Sequence, residues 1–143
     1  MDKFEQAMHL HNSGFNCCQS VFAAFSDEIN LDQKTALRIA TSFGGGIRVG
    51  SVCGAVTGAL MVLGMQKGHD SFNDLEEKQR ANEITLDFIE RYRRSVGHIE
   101  CKEILGFNPS IPCENQEKER DEIKAVRCPV AIETAVKLLI EII

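Results

Sequence analysis

Ser51-Val52-Cys53-Gly54-Ala55-Val56-Thr57-Gly58-Ala59-Leu60-Met61-Val62-Leu63-Gly64-Met65 is the stretch that decides the fold. Its apolar and small residues fall on every side of a helix rather than on one stripe, which is the pattern of a helix buried all round. The run from Val52 to Met65 is 14 residues and contains Thr57, short of the roughly 20 residues a bilayer-spanning helix needs. It therefore reads as a buried helix, with Ser51 as its N-cap. Gly54, Gly58 and the small residues between them form a small-x-x-x-small face along which another backbone can approach closely.

Working outward, helical signals occur on both sides and no alternating strand pattern bounded by hairpin turns appears. Upstream, a helix over Asp2–Asn12 stops at Gly14, and Asn16 caps a second carrying Cys17, Cys18, Val21, Phe22 and Phe25. A third, with Leu31 and Asp32 as staple and N-cap, runs through Phe43 to the bare turn Gly44-Gly45-Gly46. Downstream, a polar helix spans about Asn73 to Ser95, and a short one over Ile99–Leu105 is stopped by Gly106. Pro109, Pro112 and Asn115 mark a loop, and Glu114–Lys124 has partial helical character. Cys128-Pro129 suits an N-cap and N1 pair opening the last helix.

The expected fold is an all-α bundle of about five to six helices around a central glycine-rich helix, formed as a single domain over residues 1–143. The length of 143 residues, 43% hydrophobic and 26% charged, suits one such domain. A chain this long buries enough surface to fold without disulfide or metal staples. A formal net charge of -5 and the lack of a Lys/Arg-rich block argue against nucleic-acid binding. Met1–Gln6 lacks a basic region followed by an apolar run, so no secretory signal is expected. Membrane insertion is not expected either, and the thiols are expected in a reducing cytoplasm.

Cysteine is the residue whose placement asks for chemistry. There are six, with no C-x-x-C pair, no C-x-x-C-H haem attachment and no zinc knuckle. Any one of them reads first as a small buried apolar residue. As a set, several stand at expected helix starts. Cys53 follows Ser51 in the first turn, where free amides and the helix dipole stabilise a thiolate; Cys17 and Cys128 follow or form caps. A thiolate serves equally as a nucleophile of disulfide exchange and as a soft metal ligand. Histidine offers a weaker lead: His98 and Cys101 share a helix face and could share a metal. Gly44-Gly45-Gly46 with Arg48 could form a nest for an anion or cofactor phosphate, but the phosphate-loop spacing is absent. A steric role, letting helices or a ligand close up around Cys53, is the other reading.

Gly14-Phe15-Asn16-Cys17, the triple glycine, Cys53-Gly54-Ala55-Val56-Thr57-Gly58-Ala59, Cys101 before Leu105-Gly106, and Cys128-Pro129-Val130 together resemble the C_GCAxxG_C_C family. The resemblance spans nearly the whole chain. It carries over Cys17, Cys53, Cys101 and Cys128 as signature cysteines and Gly54 and Gly58 as motif glycines, leaving Cys18 and Cys113 outside the pattern. It implies a redox role attributed from the cysteines and association with transporters. A similar domain in a haem protein looks like an iron-sulfur-bearing module. Four cysteine thiolates meet the ligand demand of a [2Fe-2S] or [4Fe-4S] cluster.

The expected function is thus a redox protein in which Cys17, Cys53, Cys101 and Cys128 converge. They either hold a metal centre, iron-sulfur first, or form reversible disulfides with Cys53 attacking and Cys17 or Cys101 resolving. The alternative is a non-catalytic module, associated with a transporter, that binds zinc or a small molecule. Gly45, Gly46, Gly54 and Gly58 are the expected backbone contacts to a bound group. An electron or thiol partner and a homodimer complete the expectation.

Overall fold

Short polar caps divide the chain into seven α-helices in the computed structural model, which describes residues 1–143. Helix makes up 73% of the chain and no strand forms, as the all-α class requires. The helices are α1 (Lys3–Asn12), α2 (Cys17–Ala24), α3 (Gln33–Ile39), α4 (Gly54–Lys67), α5 (Leu75–Val96), α6 (Cys101–Leu105) and α7 (Glu117–Ile142). The excess over five to six lies in short segments, since α3 at 7 residues and α6 at 5 stand as separate helices.

The caps explain most boundaries. Asp2 and Glu5 form a capping box that opens α1, with Asp2 accepting the Glu5 amide at 2.8 Å. Asn16 and Gln19 form another at α2, through the Gln19 amide at 2.8 Å and the Asn16 amide at 3.0 Å. Asp32 caps α3 by accepting the Thr35 amide at 3.0 Å. Gly97 and Gly106, both with positive φ, end α5 and α6.

Two expected helix starts are corrected. Ser51 does not cap α4; Cys53 occupies the N-cap position. The residues before it are extended and pair with the segment ahead of α6, the Cys53 amide donating to the Ile99 carbonyl at 2.7 Å and the Cys101 amide to the Ser51 carbonyl at 2.6 Å. This single antiparallel bridge, Val52 to Glu100, takes up the backbone groups that a longer helix would have used. Cys128 and Pro129 do not open a helix either. They lie inside α7, which runs unbroken for 26 residues. Pro129 has no amide for the Ala125 carbonyl, but Ala125 is exposed and water can take that place. The third helix also ends earlier than expected, at Ile39, and Thr41–Phe43 forms a separate 3-10 turn.

The core is one cluster in which α4 packs against α2, α5 and α7, while α2 also packs against α1 and α3. Phe25, Val56, Val62, Phe88, Tyr92, Ile132 and Leu139 are fully buried there. The closest approach is between α2 and α4. A β-carbon on Gly54 would lie 2.8 Å from the Cys18 amide nitrogen, and one on Gly58 would lie 2.8 Å from the Cys18 carbonyl oxygen. The small-residue face of α4 is therefore what lets α2 in, and it sets Cys17 at the rim of that contact. No helix is long and apolar enough to cross a membrane.

A candidate thiol site built from four segments

Cys17, Cys53, Cys101 and Cys128, more than a hundred residues apart at the extremes, line one cavity of about 430 Å³. Each is delivered by a different device. Cys17 is the first residue of α2, fixed by the Asn16 capping box. Cys53 is the N-cap of α4 and Cys101 the first residue of α6. Cys128 lies midway along α7, next to Pro129.

The four fall into two pairs. Cys17 and Cys128 line the same wall of the cavity and act on each other's ionisation in opposite senses. Cys53 and Cys101 flank the Val52–Glu100 bridge, and because side chains alternate along extended backbone, both project to the same face of it. All six cysteines of the chain are free thiols.

Electrostatics separates the members of each pair. The neighbouring Cys17 side chain holds the Cys128 thiol below its ordinary value, and Lys124 reinforces this against the cost of burial. The Cys128 side chain, together with burial and the other cavity thiols, pushes Cys17 well above its ordinary value. Cys128 is therefore the more readily ionised of the two. Burial pushes Cys53 up, outweighing the Tyr92 hydroxyl and the Ala55 and Val56 amides that favour its thiolate. Those amides face the sulfur too loosely to make a capping hydrogen bond. The expectation that the helix start alone would activate Cys53 is thus overturned, since the same position is almost fully enclosed. Cys101 is pushed up to about 12, first by burial and then by Cys53 and Cys128.

Tyr92 is a site residue that the sequence did not single out. It is the only tyrosine in the chain, is fully buried on α5, and donates its hydroxyl to the Cys53 sulfur at 3.6 Å. Its spacing on α5 marked it as core, which it also is. Lys124 and His11 line the cavity as well. The Nδ1 of His11 is buried with no hydrogen-bond partner, and burial lowers the pKa of this imidazole, with the Phe15 backbone partly opposing.

Other expected site residues divide. Gly45 and Gly54 line the cavity. Gly46 instead packs on Ser51, where a β-carbon would meet the amide nitrogen and carbonyl oxygen at 2.4 Å, and Gly58 packs on Cys18. Cys18 is buried at the α2–α4 contact, its thiol pushed up to about 11 by burial, with Thr57 partly opposing. It lies beside the cavity wall rather than on it. Cys113 lies in the loop before Glu114. His98 is exposed and pairs with Glu103 at 3.4 Å, not with Cys101.

The donor set can be tested against the groups it could hold. No three cysteine, histidine or carboxylate groups gather closely enough to hold a metal ion. A mononuclear zinc site would draw four donors to within about 2.3 Å of one ion. A two-iron cluster would take two thiolates at each of two irons; either group would need the four thiols to draw closer together than they stand.

A family model described as "Putative redox-active protein (C_GCAxxG_C_C)" matches residues 15–142, a span holding all four cavity cysteines. No curated protein and no solved structure matches the chain.

Proposed function

Because the chain belongs to the C_GCAxxG_C_C family, whose description is that of a redox-active protein, we propose that its redox chemistry is reversible dithiol–disulfide exchange at Cys17 and Cys128. The observation that carries this reading is that the two thiols line one open cavity and bias each other's ionisation in opposite senses. The Cys128 thiolate is the nucleophile and Cys17 resolves, because exchange passes through a mixed disulfide that a second thiol must break. Lys124 supports the thiolate. Cys53 and Cys101 form a second pair that is harder to ionise and stands in reserve behind the first.

A second reading is favoured by a separate observation, the division of the four thiols into two pairs. In it Cys17 and Cys128 hold one iron and Cys53 and Cys101 the other of a [2Fe-2S] cluster. The cluster would supply one-electron transfer. In that setting Tyr92 and the first-turn amides of α4 face the Cys53 sulfur as hydrogen-bond donors, the kind of contact that tunes such a centre.

Isolation without air, followed by metal analysis, a visible absorption spectrum and thiol counting on one sample, tests the proposal. Dithiol exchange predicts colourless protein with reactive Cys17 and Cys128. About two irons per chain with visible absorbance and all four cavity thiols shielded would replace it with the cluster reading.

A further inference from the structure

The wall of the thiol cavity carries Arg48, Lys124 and His11 but no aspartate or glutamate, in a chain with 21 acidic residues against 16 basic ones. Neither Arg48 nor Lys124 makes an ion pair or hydrogen bond within the protein, although eight ion pairs of other lysines and arginines form elsewhere. Arg48 is also held in an uncommon way. Gly45, Gly46, Ile47 and Arg48 are consecutive left-handed residues with φ of 62°, 66°, 57° and 64°. A β-branched residue and an arginine adopt that region only at a cost of order 1–3 kcal/mol each, and such strain persists where the surroundings over-determine it. Here Gly46 sits against Ser51 so closely that no side chain fits, which locks the turn. The turn folds the Arg48 guanidinium back over Gly45 at the cavity, with Nη1 4.0 Å from where a Gly45 β-carbon would stand.

Resting on the dithiol reading above, we propose that the cavity takes small, carboxylate-bearing disulfides, with Arg48 and Lys124 receiving the carboxylates and the Cys17–Cys128 pair receiving the disulfide. A cavity of about 430 Å³ admits a molecule of this kind and not a folded partner. The Cys128 thiolate attacks one sulfur of R–S–S–R; a Cys128–S–R bond forms, the S–S bond breaks, and the departing RS⁻ takes the Cys17 proton. The Cys17 thiolate then attacks the Cys128 sulfur, closing the Cys17–Cys128 disulfide and expelling the second RS⁻. The protein pair loses two electrons and the substrate gains them, so the protein dithiol is itself the reductant.

Three dialkyl disulfides that differ in charge test this: 3,3′-dithiodipropionate (dianionic), bis(2-hydroxyethyl) disulfide (neutral) and cystamine (dicationic), each mixed anaerobically with the reduced full chain. Thiol loss at Cys17 and Cys128 is the readout. The anionic probe is expected to react at least roughly tenfold faster than the neutral one at low salt, with the cationic probe slowest. That ratio should shrink as ionic strength rises. Arg48→Gln should cut the anionic-to-neutral ratio several-fold, while Arg38→Gln on the exposed face of α3 keeps it. Equal rates for the three probes, or a faster cationic one, would overturn the charge selection. If none reacts, the dithiol reading fails and the substrate class with it. Alkylation of Cys128 by iodoacetate against iodoacetamide keeps the two failures apart, because it reads charge preference without any disulfide. The folded-state ratio should exceed that of the denatured chain several-fold, and a ratio no higher would show that the cavity does not select anions.

Discussion

Gly58→Ala and Gly64→Ala make the same change on the same helix and should act in opposite directions. A β-carbon at position 58 would stand 2.8 Å from the Cys18 carbonyl oxygen and 3.3 Å from its Cα. Both are backbone atoms of α2, so neither can swing aside. Ordinary contact begins at 3.4 Å, so α2 must retreat by 3.4 − 2.8 = 0.6 Å. Overpacking of this kind costs about 1–3 kcal/mol, and the better helix propensity of alanine returns about 1 kcal/mol. The net loss is up to about 2 kcal/mol, or as much as roughly 8 °C in Tm for a chain of this size. Gly64 is exposed on α4 with nothing within 4 Å of its β-position. Alanine there should add about 0.5–1 kcal/mol by reducing unfolded-state freedom. Urea and thermal unfolding under anaerobic reducing conditions read both variants. Because Cys17 precedes Cys18 directly, the retreat also draws its thiol away from Cys128, so Gly58→Ala should slow closure of the Cys17–Cys128 disulfide. A Gly58→Ala protein stabilised as much as the Gly64→Ala protein would refute the close approach of α2 to α4.

Three further outcomes follow from the same structure. Iodoacetamide labelling should reach Cys128 first, its rate rising and levelling off at a pH below that of an ordinary thiol, because its pKa is lowered; Cys18 and Cys101, pushed up to about 11 and about 12, should stay unlabelled at pH 9. Peptide mapping checks the order, and Cys17→Ala should shift the Cys128 profile upward by removing the neighbouring side chain that lowers it. Tyr92→Phe removes the hydroxyl that favours the Cys53 thiolate, so labelling of Cys53 should move to still higher pH with a stability change of no more than about 1.5 kcal/mol. Pro129→Ala restores an amide to the Ala125 carbonyl inside α7 and should stabilise the fold by about 1–2 kcal/mol, measured by urea unfolding.

Local signals were legible in the sequence wherever a single residue type does a single job. Asn16 and Asp32 cap helices, Gly106 ends one, and Gly54 and Gly58 admit a neighbouring backbone. Cys17, Cys53 and Cys128 stood out because cap residues and glycines surround them, while Cys101 joined the set through the family resemblance. What the sequence hid depended on contacts between distant segments. Ser51 looks like an N-cap, yet its backbone pairs with Cys101 and the cap passes to Cys53. Pro129 looks like a helix start because proline favours the first turn, and only the exposure of Ala125 allows it inside α7. The acidity of Cys53 was misjudged for a related reason. A helix start lowers a thiol pKa only while the dipole outweighs desolvation, and the depth of burial is set by α5 and Tyr92, not by the local sequence. The absence of carboxylates from the cavity wall is likewise a property of the assembled surface.

Pairing of Cys17 with Cys128 is read out by a redox titration of the full chain, isolated without air, with alkylation and peptide mapping at each step. The first two-electron oxidation should consume Cys17 and Cys128 together, join them in one disulfide, and leave Cys53 and Cys101 as thiols. Oxidation that starts at Cys53 and Cys101, or a one-electron transition of an iron-bound centre with all four thiols protected, would contradict it.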